Sequence, residues 1–161
     1  MKTTDFSKKI KRKVFNTCIL PCLTYGCETW ALSSQHRDML AHCQRAMERS
    51  ILSIRKLDKQ INADIRSRTG VTDILIKIDQ MKWRWTGHML RSSHEKWSKI
   101  VTEWYPRDGK RRRGRPRKRW EDELKLTAGY NWRRVAKDRE QWKGLEEAFA
   151  KRHTELRDIL E

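Results

Sequence analysis

Apolar positions recur at steps of three and four along most of this chain, the period that gives a helix one buried stripe. From Phe6 to Leu20 the pattern sets Ile10, Val14, Phe15, Cys18 and Ile19 against a basic face of Lys8, Lys9, Lys11, Arg12 and Lys13. Pro21 limits the turn that follows, because its ring removes a donor and disfavours helical geometry in the residue before it. The segment CLTYGCETWAL then either continues as a kinked helix or runs as a short extended piece. Ser33 or Ser34 caps the next helix, which reaches about Lys56 with Leu40, Cys43, Met47, Ile51 and Ile54 as its stripe. Asn62 caps a shorter helix ending at Gly70, a residue suited to the left-handed position after a helix.

Thr72 opens the most apolar helix of the chain, to about Arg91. Ile74, Ile78, Met81, Trp85 and Met89 form one stripe, and Ile76, Trp83, Gly87 and Leu90 a second. Two stripes predict packing on two sides, so this is the central helix of a first module, with Lys77, Lys82, Arg84 and Arg91 at its edges. A short piece through Trp97, Ile100 and Trp104 is closed by Pro106. Further helices are predicted over Trp120 to Leu126, Asn131 to Ala136 and Asp138 to Leu160, the last with Trp142, Leu145, Phe149, Leu156 and Leu160 at helical spacing. Asp138 and Gln141 have the spacing of a capping box. The expected fold is all-α: a helical bundle over residues 1–105, a basic linker over 106–119 and a small Trp-anchored helical module over 120–161.

Charge changes this picture more than any other property. A net charge of +17 and 37% charged residues favour polyanionic partners through long-range attraction and counterion release. RNA or DNA is the leading partner class. An anionic membrane surface calls for a basic amphipathic helix with aromatics on its apolar face, whereas here the densest charge lies in a Gly/Pro break. No run of about 18 apolar residues is present to span a bilayer. The basic start is followed by too short an apolar run for a secretory signal, so Cys18, Cys22, Cys27 and Cys43 are expected as reduced thiols of an intracellular, nuclear protein.

Eight of the eleven residues from Lys110 to Trp120 are Lys or Arg, and no acid lies among them. Three readings are open for this stretch. Lys110, Arg111, Arg112, Arg113, Arg115, Arg117, Lys118 and Arg119 form a phosphate-binding and nuclear-import segment. Arg113, Gly114, Arg115 and Pro116 spell an AT-hook core, which lays arginines into the narrow minor groove of A·T-rich duplex. The third reading is a solvated linker. Lys8, Lys9, Lys11, Arg12 and Lys13 form a second basic site.

Catalytic chemistry finds little support. Glu121, Asp122 and Glu123 are the tightest acidic cluster, but neighbours on a helix point to different sides, so the cluster fits a helix start answering its dipole. The five histidines are scattered. Cys18, Cys22 and Cys27 with Cys43 lack paired CxxC knuckles, and Cys18, Cys22 and Cys43 fall on apolar stripes where free cysteine acts as a small hydrophobe. No cofactor or metal is expected. The eight tryptophans coincide mostly with apolar stripes and are expected as core, with Trp120 the strongest exception as a base-stacking platform.

The ordered motifs LTYGCETW, IRSRTGVTDI, MKWRWTGHMLR, GKRRRGRPRKRWEDEL and WRRVAKDREQWKGLEEAF together resemble the C-terminal part of non-long-terminal-repeat (LINE-like) retrotransposon reverse transcriptases. The resemblance runs from Lys8 to Arg152. It implies that the segments up to about Arg55 match the thumb end of the polymerase, where helices hold the primer-template backbone, and that the remainder matches the C-terminal extension. The family's Tyr/Phe-Ala-Asp-Asp metal-binding motif is missing, so no polymerase activity is expected of this chain alone. The resemblance thus implies a nucleic-acid-binding part without catalysis. The alternatives are a domesticated or degenerate retroelement-derived protein acting as an interaction module, and an AT-hook-like DNA binder. Oligomeric state is not legible.

Overall fold

The computed structural model describes residues 6–93, 97–104 and 119–152, and every regular element among them is helical. Their contacts divide into two units. The described residues of Met1–Cys27 and Leu32–Ile78 form the first, and those of Glu28–Ala31 and Asp79–Glu161 the second.

The first unit opens with α1 (Lys8–Val14), a π-helical turn (Phe15–Ile19) and α2 (Leu20–Leu23). Pro21 sits in the first turn of α2 and does not end the helix. The wider turn ahead of it, in which the Leu20 amide donates to the Phe15 carbonyl, takes up the change in hydrogen bonding where proline has no donor to give. The buried face of this segment is Lys11, Phe15 and Leu20, while Ile10, Val14 and Cys18 are exposed, so the expected stripe is rotated.

α3 (Ser34–Leu52) starts at Ser33, whose hydroxyl accepts the His36 amide, and stops at Ser53 in the left-handed region, a few residues short of Lys56. A 3-10 turn (Lys56–Asp58) leads to α4 (Asn62–Thr69), which ends at Gly70 with φ +59°. Asn62 is not its cap. Asn62 lies inside the helix, and its side-chain oxygen accepts from Arg49 Nη1 at 3.1 Å. α5 (Ile74–Arg91) is capped by Asp73, not opened by Thr72: Asp73 Oδ1 accepts the Leu75 and Ile76 amides at 2.8 and 3.1 Å.

The inward face of α3 is Arg37, Ala41, Gln44, Glu48 and Ile51, mostly polar, while Cys43 is exposed and Met47 half-buried. Two of these buried polar groups link α3 to other elements. Gln44 Oε1 accepts the Ile74 amide at 2.7 Å and its Nε2 donates to the Thr72 carbonyl at 3.0 Å, tying α3 to the start of α5. Glu48 faces Arg66, which also pairs with Asp73 at 2.6 Å. Burial pushes the Glu48 carboxyl above its usual range, with Arg66 pulling it the other way. Around these groups Phe15, Leu20, Ile51, Ile65, Val71, Ile74 and Ile78 supply the apolar core.

The second unit comprises the rest of α5 with α6 (Trp97–Glu103), α7 (Asp122–Ala128), α8 (Trp132–Val135), α9 (Arg139–Gly144) and α10 (Glu146–Lys151). The predicted final helix is broken at Leu145, and Leu156 and Leu160 lie outside the described residues. Asp138 caps α9 through the Glu140 and Gln141 amides, but its own amide donates to the Val135 carbonyl and not to Gln141.

Trp83 and Trp142 form the centre of this unit. Their rings stack with centroids 3.7 Å apart at 5°, and each indole N–H donates to the other's backbone carbonyl at 2.8 Å. Trp132, Leu124 and Phe149 complete the core with no exposed area. Tryptophans buried to this depth each remove roughly 150–250 Å² from water, roughly 4–6 kcal/mol of hydrophobic stabilisation before entropy is counted. This core joins residues from both sides of the basic stretch, so the packing boundary falls inside α5 and not at residues 106–119 as the sequence pattern suggests.

Candidate nucleic-acid interface

Most of the basic stretch, Lys110, Arg111, Arg112, Arg113, Arg115, Arg117 and Lys118, lies outside the described residues. Arg119, its last member, is exposed, and its backbone amide donates to Asp122 Oδ2 at 2.7 Å, which fixes the chain at the entrance to α7.

The α1 cluster separates by helix face. Lys8, Lys9, Arg12 and Lys13 are exposed. Lys11 is 8% exposed and its ammonium donates to the Ile51 carbonyl at 3.3 Å, so this cation serves the first unit's interior. Arg12 lies against Gly70, where a Cβ would come within 3.0 Å of its Nη1. The remaining cations make a continuous exposed basic row of Lys8, Lys9, Arg12 and Lys13 at the start of the chain's described part.

Glu121 and Glu123 are buried and already engaged. Glu121 holds Lys125 at 2.7 Å and Arg133 at 3.0 Å. Glu123 Oε2 meets Lys82 at 3.0 Å and Arg152 at 3.1 Å, and Arg152 also reaches Asp79 at 3.2 Å. Lys82, expected at a helix edge, is thus inside a four-member ion cluster. Burial lowers the pKa of its ammonium while Glu123 opposes that shift. Two cations and two carboxylates balance the cluster, which makes it structural: removing one member would leave a buried charge uncompensated. No side chain of the acidic triplet caps α7: Asp122 and Glu123 lie in its first turn, and Asp122 accepts the Arg119 amide ahead of the helix.

The tryptophans divide in a way periodicity does not reveal. Trp83, Trp132 and Trp142 are core, and Trp85 and Trp120 are half-buried. Trp97 and Trp104, expected as core, are 80% and 66% exposed. In the second unit these side chains border an open groove of about 610 Å³, with Trp85, Trp97, Val101, Trp104, Arg119 and Trp120 among its lining. Trp120 is held firmly there: its indole N–H donates to the Glu28 carbonyl at 2.7 Å, its ring meets Trp85 edge-on at 84°, and the Lys82 ammonium lies 5.0 Å from its centroid. A sequence signal for the groove did exist. Trp97 and Val101 fall on one face of the seven-residue α6 and Trp104 follows directly after its last residue, and no second apolar stripe nearby claims them.

Three of the four cysteines depart from expectation. Cys18, Cys22 and Cys43 are exposed and Cys27 alone is buried. Among the described residues no group of three or more His, Cys, Asp or Glu side chains is placed to hold a metal ion. No helix among them is long and apolar enough to cross a membrane.

The chain is similar to an uncharacterised transposon-derived protein of Caenorhabditis elegans, with 31% identity over 155 residues that cover 87% of this chain and 56% of the relative. It therefore spans a little over half the length of the curated relative it matches. No protein-family model matches, and no solved structure matches.

Proposed function

We propose that this chain is a nucleic-acid-binding part of a retroelement protein, corresponding to the thumb end and C-terminal extension of a non-long-terminal-repeat reverse transcriptase, without polymerase or endonuclease chemistry of its own. The observation that carries this reading is the run from Lys110 to Arg119, eight cations without an acid in a chain of net charge +17. The similarity to a transposon-derived protein supports the retroelement origin. The exposed Lys8, Lys9, Arg12 and Lys13 supply a second set of phosphate contacts. Binding works by charge and positioning: cations displace condensed counterions from RNA or DNA, and the helical units hold the backbone in register. A nuclear location follows from the same basic run.

The test is fluorescence-anisotropy titration of an RNA stem-loop, a mixed duplex and an A·T-rich duplex over a salt series. The comparison is a variant with all eight Lys/Arg of 110–119 changed to Gln. Each duplex phosphate contact contributes about 0.9 to the slope of log affinity against log salt. The parent is expected to bind with a steep slope, and the variant to lose most of it. Equal binding by the variant would remove the basic run from the interface. A preference for the A·T-rich duplex that depends on Arg113 and Arg115 would support minor-groove reading.

A second reading, a protein-docking module, is favoured by the exposed apolar side chains of the first unit. Phe6, Ile10 and Val14 are 57%, 48% and 37% exposed beside the basic face of α1. Concentration-dependent self-association that Ile10→Ser with Val14→Ser abolishes would favour it over the nucleic-acid reading.

A further inference from the structure

The groove of the second unit has a composition that phosphate binding alone does not call for. Trp97 and Val101 on α6 are 80% and 65% exposed, and Trp104, the residue directly after that helix, is 66% exposed. Large flat apolar surfaces left in water are costly to keep unless they meet a partner. Trp120 and Trp85 close the groove's inner side in a fixed edge-to-face pair, so the aromatic floor is pre-organised. Arg119 is on the lining and is the last residue of the eight-cation run, which makes basic charge and aromatic surface contiguous in the sequence. Glu121, the one acid among the described residues of the lining, has its carboxylate engaged by Lys125 and Arg133 and does not confront a phosphate unaccompanied.

A ligand complementary to both features is a polyanion whose repeating units carry exposed flat π-faces. Single-stranded nucleic acid has that chemistry; a duplex hides its base faces inside the stack. We propose that the groove bordered by Trp85, Trp97, Trp104, Arg119 and Trp120 binds unpaired bases of single-stranded RNA or DNA, with Trp97 and Trp104 stacking on bases and Arg119 meeting the adjoining phosphate. A groove of about 610 Å³ is in the range of roughly 300–1,000 Å³ used for small organic groups, enough for a base with its sugar. The inference rests on the phosphate-binding reading above and adds to it a preference for unpaired strands.

The experiment separates the two. The full chain is titrated with a single-stranded oligonucleotide of about twelve residues, an abasic oligomer of the same length and charge, and a blunt duplex. The parent is compared with Trp97→Ala/Trp104→Ala, with Trp97→Phe/Trp104→Phe, and with the eight-residue Gln variant. Both tryptophans are exposed, so their truncation should leave the thermal transition in place. The parent should bind the base-containing strand about tenfold or more tighter than the abasic one. The double Ala variant should erase that difference while keeping abasic and duplex affinity, and the double Phe variant should retain part of it. The Gln variant should weaken all three ligands together. Equal affinity of the parent for base-containing and abasic strands, or an unchanged preference in the double Ala variant, would overturn the stacking site and leave the phosphate reading standing. Binding to none of the three at low salt would overturn both.

Discussion

At the scale of single residues, Gly87 shows how closely the second unit's core is assembled. A Cβ at this position would stand 2.6 Å from both Cδ1 and Nε1 of Trp142, an approach no real methyl group makes. Trp142 cannot yield, because its ring is stacked on Trp83 and its indole N–H is committed to the Trp83 carbonyl. Gly87 is therefore present for want of a side chain and not for backbone freedom. Gly87→Ala should lower stability by about 1–3 kcal/mol, the usual cost of overpacking, although alanine is the better helix former by about 1 kcal/mol. Urea denaturation monitored by Trp fluorescence measures this, and a variant as stable as the parent would show that the stacked pair can move apart. Periodicity placed Ile76, Trp83, Gly87 and Leu90 on one stripe of the central helix, and that stripe is buried except at half-buried Ile76. What periodicity could not convey is which tryptophans face inward, since the same spacing carries the exposed Trp97 and Trp104.

Individual helices were legible from capping and spacing, but their facing was not always so. Ser33 and Gly70 mark the predicted ends because their local chemistry acts alone: a hydroxyl reaches an amide two or three residues on, and glycine accepts a positive φ. The buried face of α3 was missed because Gln44 and Glu48 count as polar in any apolar pattern, and their burial depends on the distant partners Thr72, Ile74 and Arg66. This buried face predicts a pH response. The Glu48 carboxyl is raised above its ordinary value of 4.5, burial being the larger cause and Arg66 the opposing one. The folded chain then binds the Glu48 proton more tightly than the unfolded chain does. Its contribution to stability is fully present below 4.5 and is lost as pH rises through the raised folded value. Glu48→Gln has no such titration, so the parent should gain stability relative to this variant as pH falls from neutral towards 4.5. Paired denaturation curves at neutral and mildly acidic pH check the sign, and a relative loss for the parent on acidification would mean that the Arg66 pair outweighs burial. Asp73→Ala tests the same element junction separately: losing the cap on the Leu75 and Ile76 amides should cost about 1 kcal/mol, with the Arg66 partner lost in addition.

For the whole molecule, the all-α class followed from the repeated three-four spacing, whereas the division into units did not follow from the basic run. The chain-order signal of eight cations is strong and local; the Trp83–Trp142 contact, which links the two sides of that run, is separated by 59 positions and leaves no local trace. The distribution of charge leads to the last prediction. Within the second unit the buried cations Lys82 and Arg152 are matched by Asp79 and Glu123, so the cluster contributes no net charge. The net +17 of the chain is therefore carried elsewhere, by groups that repel one another across water. Screening reaches such pairs readily, since the Debye length shrinks to about 10 Å at 0.1 M salt, but it barely touches the buried cluster. Raising NaCl from low to moderate concentration should therefore raise the thermal midpoint of the free chain. The same salt should weaken nucleic-acid binding, because the counterions released on binding become costlier to release. Thermal shifts measured with and without an oligonucleotide should then converge as salt rises: the free chain climbs and the stabilisation added by ligand fades. A free chain whose midpoint falls with salt would mean that attractive surface pairs such as Arg84–Glu146 outweigh the net repulsion.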